Sequence, residues 1–251
     1  MINLTDRLQV LADQIEEQET MADIGTDHGF LPIALWERHI CPHVILTDVS
    51  SGSLEKARQT GQASHPNKIF DLRLGSGLRV LEKGEVDVVV IAGMGGILMT
   101  QILGEDLEKA RSFGKLVLQP RSGQGKLRHW LVHHNFQIIK ESLVREGKYI
   151  CEVLTVVPCA PSMTSALSAE PLAARANVSW GMPGKGPEDI EYEVPPWILS
   201  AGELAEPFVR RKLDAEQRVW EGLLKSKQPD RSKEKRTRER MAYLESLLGG
   251  V

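Results

Sequence analysis

The chain has 251 residues, 41% of them hydrophobic and 26% charged, with a formal net charge of −3 at pH 7. This length and composition are typical of a globular protein with one large domain, or one domain and a small appendage. No apolar run approaches the roughly 18 residues of a membrane-spanning helix, and the net charge alone argues mildly against a nucleic-acid partner.

Short apolar runs alternate with helical stretches over the first 134 residues. The opening segment has the spacing of an amphipathic helix with acidic residues, which is unlike a signal peptide. In chain order, the pattern predicts the elements Met1–Glu17 (helix), Thr20–Gly25 (strand), Pro32–His39 (helix), Val44–Asp48 (strand), Ser50–Gln62 (helix), Ile69–Leu74 (strand), Asp87–Ala92 (strand), Ile97–Leu103 (helix), Leu116–Gln119 (strand) and Gly125–His134 (helix).

Two further strands, Phe136–Val144 and Tyr149–Val157, follow with only a tight turn at Glu146-Gly147 between them. They must form an antiparallel hairpin, because a parallel pair needs a long crossover. Five β-α alternations and a hairpin predict an α/β fold whose mostly parallel sheet has one reversed strand at its edge. Such a sheet binds its ligand at the carboxyl ends of the strands.

The remainder of the chain differs in character. Residues 158–186 are rich in proline and small residues, which predicts a linker or surface loop without an element of its own. Glu203–Ser226 and Asp230–Leu248 predict two helices that pack as an antiparallel hairpin. The predicted domains are therefore 1–157 (catalytic), 158–202 (linker or extended segment) and 203–251 (helical hairpin).

The loop after the first strand carries Gly25 and Gly29 in a G-x-x-x-G spacing, which is not the dinucleotide fingerprint. A carboxylate at Asp23 would repel a pyrophosphate but could attract a cationic ligand such as S-adenosylmethionine. Asp48, at the end of the second strand, is placed to accept hydrogen bonds from ribose hydroxyls or to cap a helix.

Three later loops follow other strands. Gly75-Ser76-Gly77 could admit an adenine ring or be a simple turn, and Gly93–Gly96 could form an open floor where two ligands meet or allow close helix packing. After the next strand, Gln119 can both donate and accept hydrogen bonds, and Arg121 could meet a phosphate.

Charge is distributed unevenly along the chain. Residues 1–205 hold 19 Lys/Arg and 26 Asp/Glu, a balance of −7, whereas residues 206–251 hold 12 and 8, a balance of +4. Such a basic cluster predicts contacts with RNA phosphates. The predicted RNA-binding residues, besides Arg121, are Lys225, Lys227, Arg231, Lys233, Lys235, Arg236, Arg238 and Arg240.

The strings DIGTDHGFLP, TDVS, RLGSGL, IAGMGG and LQP with ESLVREGKYICEV resemble the TrmK-type bacterial tRNA methyltransferases, which modify N1 of adenine 22. The resemblance implies a class I methyltransferase fold with a Rossmann-like seven-stranded sheet and a C-terminal coiled-coil hairpin. It also implies S-adenosylmethionine as cofactor, held by Asp23, Gly25, Thr26, His28, Gly29, Phe30, Leu31, Asp48, Val49, Gly75, Ser76, Gly77, Ala92, Gly93, Met94 and Gly95.

Transfer to adenine N1 needs no strong base, because N1 carries a lone pair. Asp27, His28, Gln119 and the backbone of Gly93–Gly96 are the candidates for holding the target base. The alternatives are a methyltransferase for another RNA or a small molecule and a non-catalytic RNA-binding protein; a nicotinamide enzyme fits less well. Three dispersed cysteines predict a reducing cytoplasm and no metal site, and we expect a monomer without membrane contact.

Overall fold

A computed structural model describes residues 1–159, 184–226 and 230–249. The strands are β1 (Met21–Ile24), β2 (Val44–Asp48), β3 (Asp71–Leu74), β4 (Val88–Gly95), β5 (Lys115–Ser122), β6 (Phe136–Glu146) and β7 (Tyr149–Pro158). The helices are α1 (Asp6–Ala12), α2 (Phe30–Glu37), α3 (Ser51–Ser64), α4 (Gly96–Glu105), α5 (Leu107–Ala110), α6 (Gln124–His133), α7 (Ile190–Glu193), α8 (Ala205–Leu224) and α9 (Arg231–Leu248).

The seven strands form one sheet in the order β3-β2-β1-β4-β5-β7-β6. Strands β1 to β5 pair in parallel, and β7 runs antiparallel to both β5 and β6. The predicted mostly parallel sheet is confirmed, and its one reversed strand lies between β5 and the edge strand β6. All five parallel strands present their carboxyl ends to the same edge of the sheet.

Both faces of the sheet are covered, which explains the unbroken apolar run of β4. Val89 and Ile91 pack in a core with α4 and α6, whereas Val88 and Val90 pack in a second core with α1 and α2. A strand buried on both faces has no polar side to alternate with.

The first helix is shorter than predicted. It begins after Thr5, whose hydroxyl accepts the Leu8 N–H, and it ends at Ala12. Gln18 has a φ of 72°, which lies outside the helical region. The apolar side chain of Ile15 is buried all the same, so helical spacing in the sequence extended past the helix itself.

Part of the predicted linker is folded against the protein. Residues 160–183 lie outside the described residues, but α7 and a 3-10 helix at Pro196–Ser200 follow them. Ile190, Val194 and Ile198 are buried in a third core with Phe208 of α8 and Leu244 of α9. The C-terminal helices are therefore joined to the sheet domain by an apolar core.

Helices α8 and α9 pack in antiparallel fashion, as predicted from the sequence. Arg238 lies over the Trp220 ring at 5.2 Å, and Arg240 donates to Glu216 at 2.7 Å. Later residues of α9 thus meet earlier residues of α8. No helix in the described ranges is both long enough and apolar enough to span a membrane.

A buried ionic network holds the sheet domain to α7. The Arg128 guanidinium, 1% exposed, pairs with Glu152 and, at 2.7 Å, with Glu141. It also donates to the backbone carbonyls of Tyr192 and Glu193 at 3.1 and 3.2 Å. Burial lowers the pKa of this guanidinium, but the two carboxylates raise it further, so it stays charged.

Candidate functional site

A cleft of about 440 Å³ opens at the carboxyl ends of β1 and β4. This volume is in the range of small-molecule sites. Eight of the predicted cofactor residues line it together: Asp23, Gly25, Thr26, His28, Phe30, Leu31, Ala92 and Gly93. Asp27 and Arg121 line it as well, so the loops after β1 and β4 lie together at this edge of the sheet.

Asp23 is a buried carboxylate at the floor of the cleft. Its pKa is raised to about 6, chiefly by burial. The Thr26 hydroxyl opposes this rise by donating a hydrogen bond of 2.7 Å, and the nearby Asp48 adds to it. Arg7 lowers the pKa of Asp23 only weakly. A cationic group bound beside Asp23 would therefore stabilise the carboxylate in its ionised form.

Two glycines bring the backbone of the first and fourth loops close to the ligand space. Gly25 has a φ of 80° and Gly93 a φ of 77°, both in the left-handed region that favours glycine. A methyl group on Gly25 would collide with the side chain of Met94, and one on Gly93 would lie 3.7 Å from Arg121. Met94 therefore packs the two loops against each other, and Gly95 follows beside the end of β5.

Asp48 joins the cleft to the loop after β3. Its carboxylate accepts the Ser50 N–H at 2.8 Å and the Asp27 N–H at 3.5 Å, and its carbonyl accepts the Gly75 N–H at 3.0 Å. Its half-buried side chain retains lone pairs for further hydrogen bonds. Three more predicted cofactor residues follow Asp48 and Gly75 in the chain and are not among the residues that line the cleft: the exposed Val49 and Ser76 and the buried Gly77.

The three side chains predicted to hold the base differ in their surroundings. The Asp27 carboxylate, 58% exposed, pairs with Lys56 of α3 at 3.2 Å, and His28 stacks on Phe30 with centroids 5.2 Å apart. Gly29 begins α2 beside them with a φ of 70°. Asp27 therefore faces α3, on the β2 side of the cleft.

Gln119 is buried and is held by three hydrogen bonds to protein groups. Its side-chain oxygen accepts the Gly93 N–H at 3.1 Å and an Arg7 N–H at 3.3 Å, and its amide nitrogen donates to the Pro120 carbonyl. This geometry fixes the orientation of the amide and supports the Gly93 backbone.

Sequence reasoning missed one wall of the cleft. Thr5, Arg7, Leu8 and Leu11 contribute it from α1 and its cap, and Glu146 contributes from the end of β6. Arg7 donates to Glu146 at 2.7 Å. The amphipathic pattern of α1 indicated a packing helix, and nothing local revealed that its arginine lines the cleft.

Six predicted RNA-binding cations are exposed on α9 and at the end of α8, and five of them form one set: Lys225, Arg231, Lys233, Lys235 and Arg238. Lys227 lies outside the described residues. The set is separate from the cleft and forms the basic surface of the helical hairpin. Here we call it the basic arm.

Two other predicted cations are held by acidic partners. Arg236 donates to the Glu188 carbonyl at 2.8 Å, and Arg240 pairs with Glu193 and Glu216. Burial raises the pKa of Glu193, but Lys212 and Arg240 lower it further, to about 2. Arg240, only 15% exposed, lies on α9 and contacts Glu193 of α7 and Glu216 of α8, so it links these three helices.

The sheet order and the glycine-lined cleft together define a Rossmann-like α/β protein that binds a small molecule at the carboxyl edge. Residues 4–154 match the family model described as "Methyltransferase domain". The chain belongs to this family of methyltransferase domains.

Relatives of known description agree with this assignment. The tRNA (adenine(22)-N(1))-methyltransferase of Bacillus subtilis is 35% identical over 153 residues, or 61% of this chain and 64% of that relative, just under two thirds. The crystal structure of the B. subtilis m1A22 tRNA methyltransferase TrmK covers 99% of this chain and 100% of its own, with a TM-score of 0.76 and 26% identity. The fold is thus that of class I methyltransferases.

A second solved structure is that of Streptococcus pneumoniae Sp1610 in complex with S-adenosyl-L-methionine. It is 24% identical and covers 98% of this chain and 100% of its own, with a TM-score of 0.77. This likeness supports the fold over the full length, including the C-terminal helices.

Proposed function

We propose that this protein transfers a methyl group from S-adenosylmethionine to N1 of adenine 22 in tRNA. The observation that carries the proposal is the cleft in which Asp23, Gly25 and Gly93 meet, on a chain similar over its full length to a solved m1A22 methyltransferase. The predicted cytoplasmic location follows from the same proposal, because tRNA is there.

The residues of the cleft fit this cofactor. The buried Asp23 carboxylate suits its ammonium group, Asp48 suits its ribose hydroxyls, and the bare backbone at Gly93 leaves room beside its sulfonium. When bound, the cofactor supplies an electrophilic methyl group. The chain's own contribution is to align N1 with that methyl, which provides most of the acceleration in such transfers.

Adenine N1 lies on the pairing edge of the base, so the base must leave any pair or stack before it reaches the cleft. The basic arm supplies phosphate contacts that hold the tRNA while this happens. Arg121, beside Gly93, is the proposed phosphate contact nearest the chemistry.

The test uses purified protein, labelled S-adenosylmethionine and an unmodified tRNA transcript, followed by nucleoside mass spectrometry. We expect label in 1-methyladenosine, and none when adenine 22 of the transcript is replaced by guanine. Label at another nucleotide would favour the alternative RNA substrate. Cofactor binding without transfer would favour the alternative of a non-catalytic RNA-binding protein.

Cofactor affinity should depend on pH through Asp23. The pKa of the Asp23 carboxyl group is about 6, and a cationic ligand prefers the ionised carboxylate. Binding below that pH must therefore release a proton. The dissociation constant should therefore rise as pH falls from 7 to 5, approaching tenfold per unit below pH 6. Isothermal titration calorimetry in buffers of different ionisation enthalpy measures both the affinity and the proton release.

Asp23→Asn provides the matched control for this titration. The variant should bind the cofactor more weakly at pH 7 and with little change between pH 5 and 7. A wild-type affinity that is constant over this range, with no proton release, would contradict the assignment of the ammonium group to Asp23.

A further inference from the structure

The β6–β7 hairpin extends beside β5 toward the carboxyl edge of the sheet, and its tip lies at the cleft. Leu154 of β7 lies opposite Leu118 of β5, and β7 begins five residues earlier at Tyr149. At about 3.4 Å per residue, the hairpin extends roughly 17 Å beyond that pair toward the carboxyl edge. Glu146, the last residue of β6, is thereby brought to the cleft wall.

Arg7 holds Glu146 in this position. Its Nε donates to one carboxylate oxygen of Glu146 at 2.7 Å, and its Nη1 donates to Gln119 at 3.3 Å. Gln119 in turn accepts the Gly93 N–H. A continuous series of hydrogen bonds therefore runs from the hairpin tip to the backbone beside the expected methyl group.

Gln119 itself has little to offer a base, since its oxygen accepts two hydrogen bonds and it is 1% exposed. Glu146 differs, because its side chain is 42% exposed. Among the described residues, the hydrogen-bond donor to its second carboxylate oxygen is the Cys151 thiol, a weak donor at 4.0 Å. Of these two side chains, Glu146 is the one that presents an acceptor to the cleft.

We propose that Glu146 contacts the target base, accepts a hydrogen bond from its exocyclic amino group and offsets the charge of the methylated ring, with Arg7 as the positioning residue. This inference rests on the proposed function. The N1 lone pair forms the new C–N bond while the S–C bond breaks and its electrons remain on sulfur. The sulfonium charge thus passes to the adenine ring and its amino group, where a carboxylate stabilises it.

Glu146→Gln tests the charge with little change in shape. We expect single-turnover methyl transfer to fall roughly 10- to 100-fold, the effect of a hydrogen bond to a charged group. Cofactor affinity and thermal midpoint should not change. Glu108→Gln, an exposed carboxylate on α5, is the matched control and should transfer at the wild-type rate.

Binding gives a readout that does not depend on turnover. Wild-type protein with the demethylated cofactor product should prefer tRNA carrying cationic 1-methyladenosine over unmodified tRNA, and Glu146→Gln should lose this preference. Arg7→Lys should reduce it in part. A tRNA with purine riboside at the target, which lacks the amino group, should show a smaller Glu146→Gln defect than adenine does.

The outcomes separate this inference from the proposed function. If the wild type methylates adenine 22 and Glu146→Gln transfers within twofold of it, the role of Glu146 is wrong and the function stands. Equal preference for methylated tRNA in both proteins would also overturn the inference. If the wild type methylates no tRNA adenine, the proposed function itself fails.

Discussion

Removing four exposed cations from the basic arm should lower tRNA affinity about 100-fold or more and leave cofactor affinity unchanged. Each phosphate contact contributes to affinity through counterion release, so the slope of log affinity against log salt should become shallower by about four. Filter binding across a salt series measures both quantities. The substituted residues, each changed to glutamine, are Arg231, Lys233, Lys235 and Arg238.

The choice of these residues follows from the packing of α9. All four are exposed, whereas Thr237 and Leu244 of the same helix are buried. Deleting the whole hairpin would be a poorer test, because Phe208 and Leu244 share a core with Ile198 and Leu143. Truncation would expose that core and confuse loss of binding with loss of folding.

A matched variant distinguishes local phosphate contacts from overall charge. Four exposed cations of the sheet domain are changed to glutamine, which gives the same change in net charge: Arg58, Arg79, Lys83 and Lys140. This control should keep nearly the wild-type affinity and salt slope. If both variants lose affinity equally, binding depends on net charge and the basic arm is not a specific clamp.

Local pattern was sufficient to predict most of the elements and the glycine loops that line the cleft. The strand β4 is recognisable because a β-branched run buried on both faces is distinctive. Gly25 and Gly93 are recognisable because they follow strands, at positions where the backbone adopts the left-handed conformation that favours glycine. These features depend on neighbours within a few residues. They are the part of a fold that sequence reveals without tertiary contacts.

Side chains whose role depends on distant partners could not be predicted. Arg7 and Glu146 are 139 positions apart in sequence, and their pairing exists only because the hairpin tip passes over α1. Arg240 lies in the same basic stretch of sequence as its exposed neighbours, yet it pairs with Glu193, 47 positions away. Charge counting identifies a basic helix but does not tell which of its cations are already paired.

Arg128→Met should be among the most destabilising single substitutions in the chain. Removing the guanidinium leaves the Glu141 and Glu152 carboxylates buried without a counter-charge, and two backbone carbonyls of α7 lose their donor. Breaking a buried ion pair in this way costs about 3–5 kcal/mol of unfolding free energy. Denaturant unfolding at pH 7 measures it.

The cause of this loss can be tested by neutralising the two partners. Without Arg128, both carboxylates are buried without a counter-charge, and an uncompensated buried charge opposes folding. Arg128→Met with Glu141→Gln and Glu152→Gln should recover part of the stability at pH 7.

An exposed pair provides the contrast. Arg79 pairs with Glu105 at the surface, and Arg79→Met should unfold at nearly the wild-type denaturant concentration because water screens that pair. At temperatures where Arg128→Met remains folded, we expect a higher KM for tRNA with unchanged cofactor affinity, since α7 also carries the Glu193 contact to α8 and α9. If the variant is as stable as Arg79→Met, the network does not hold the C-terminal helices to the sheet domain.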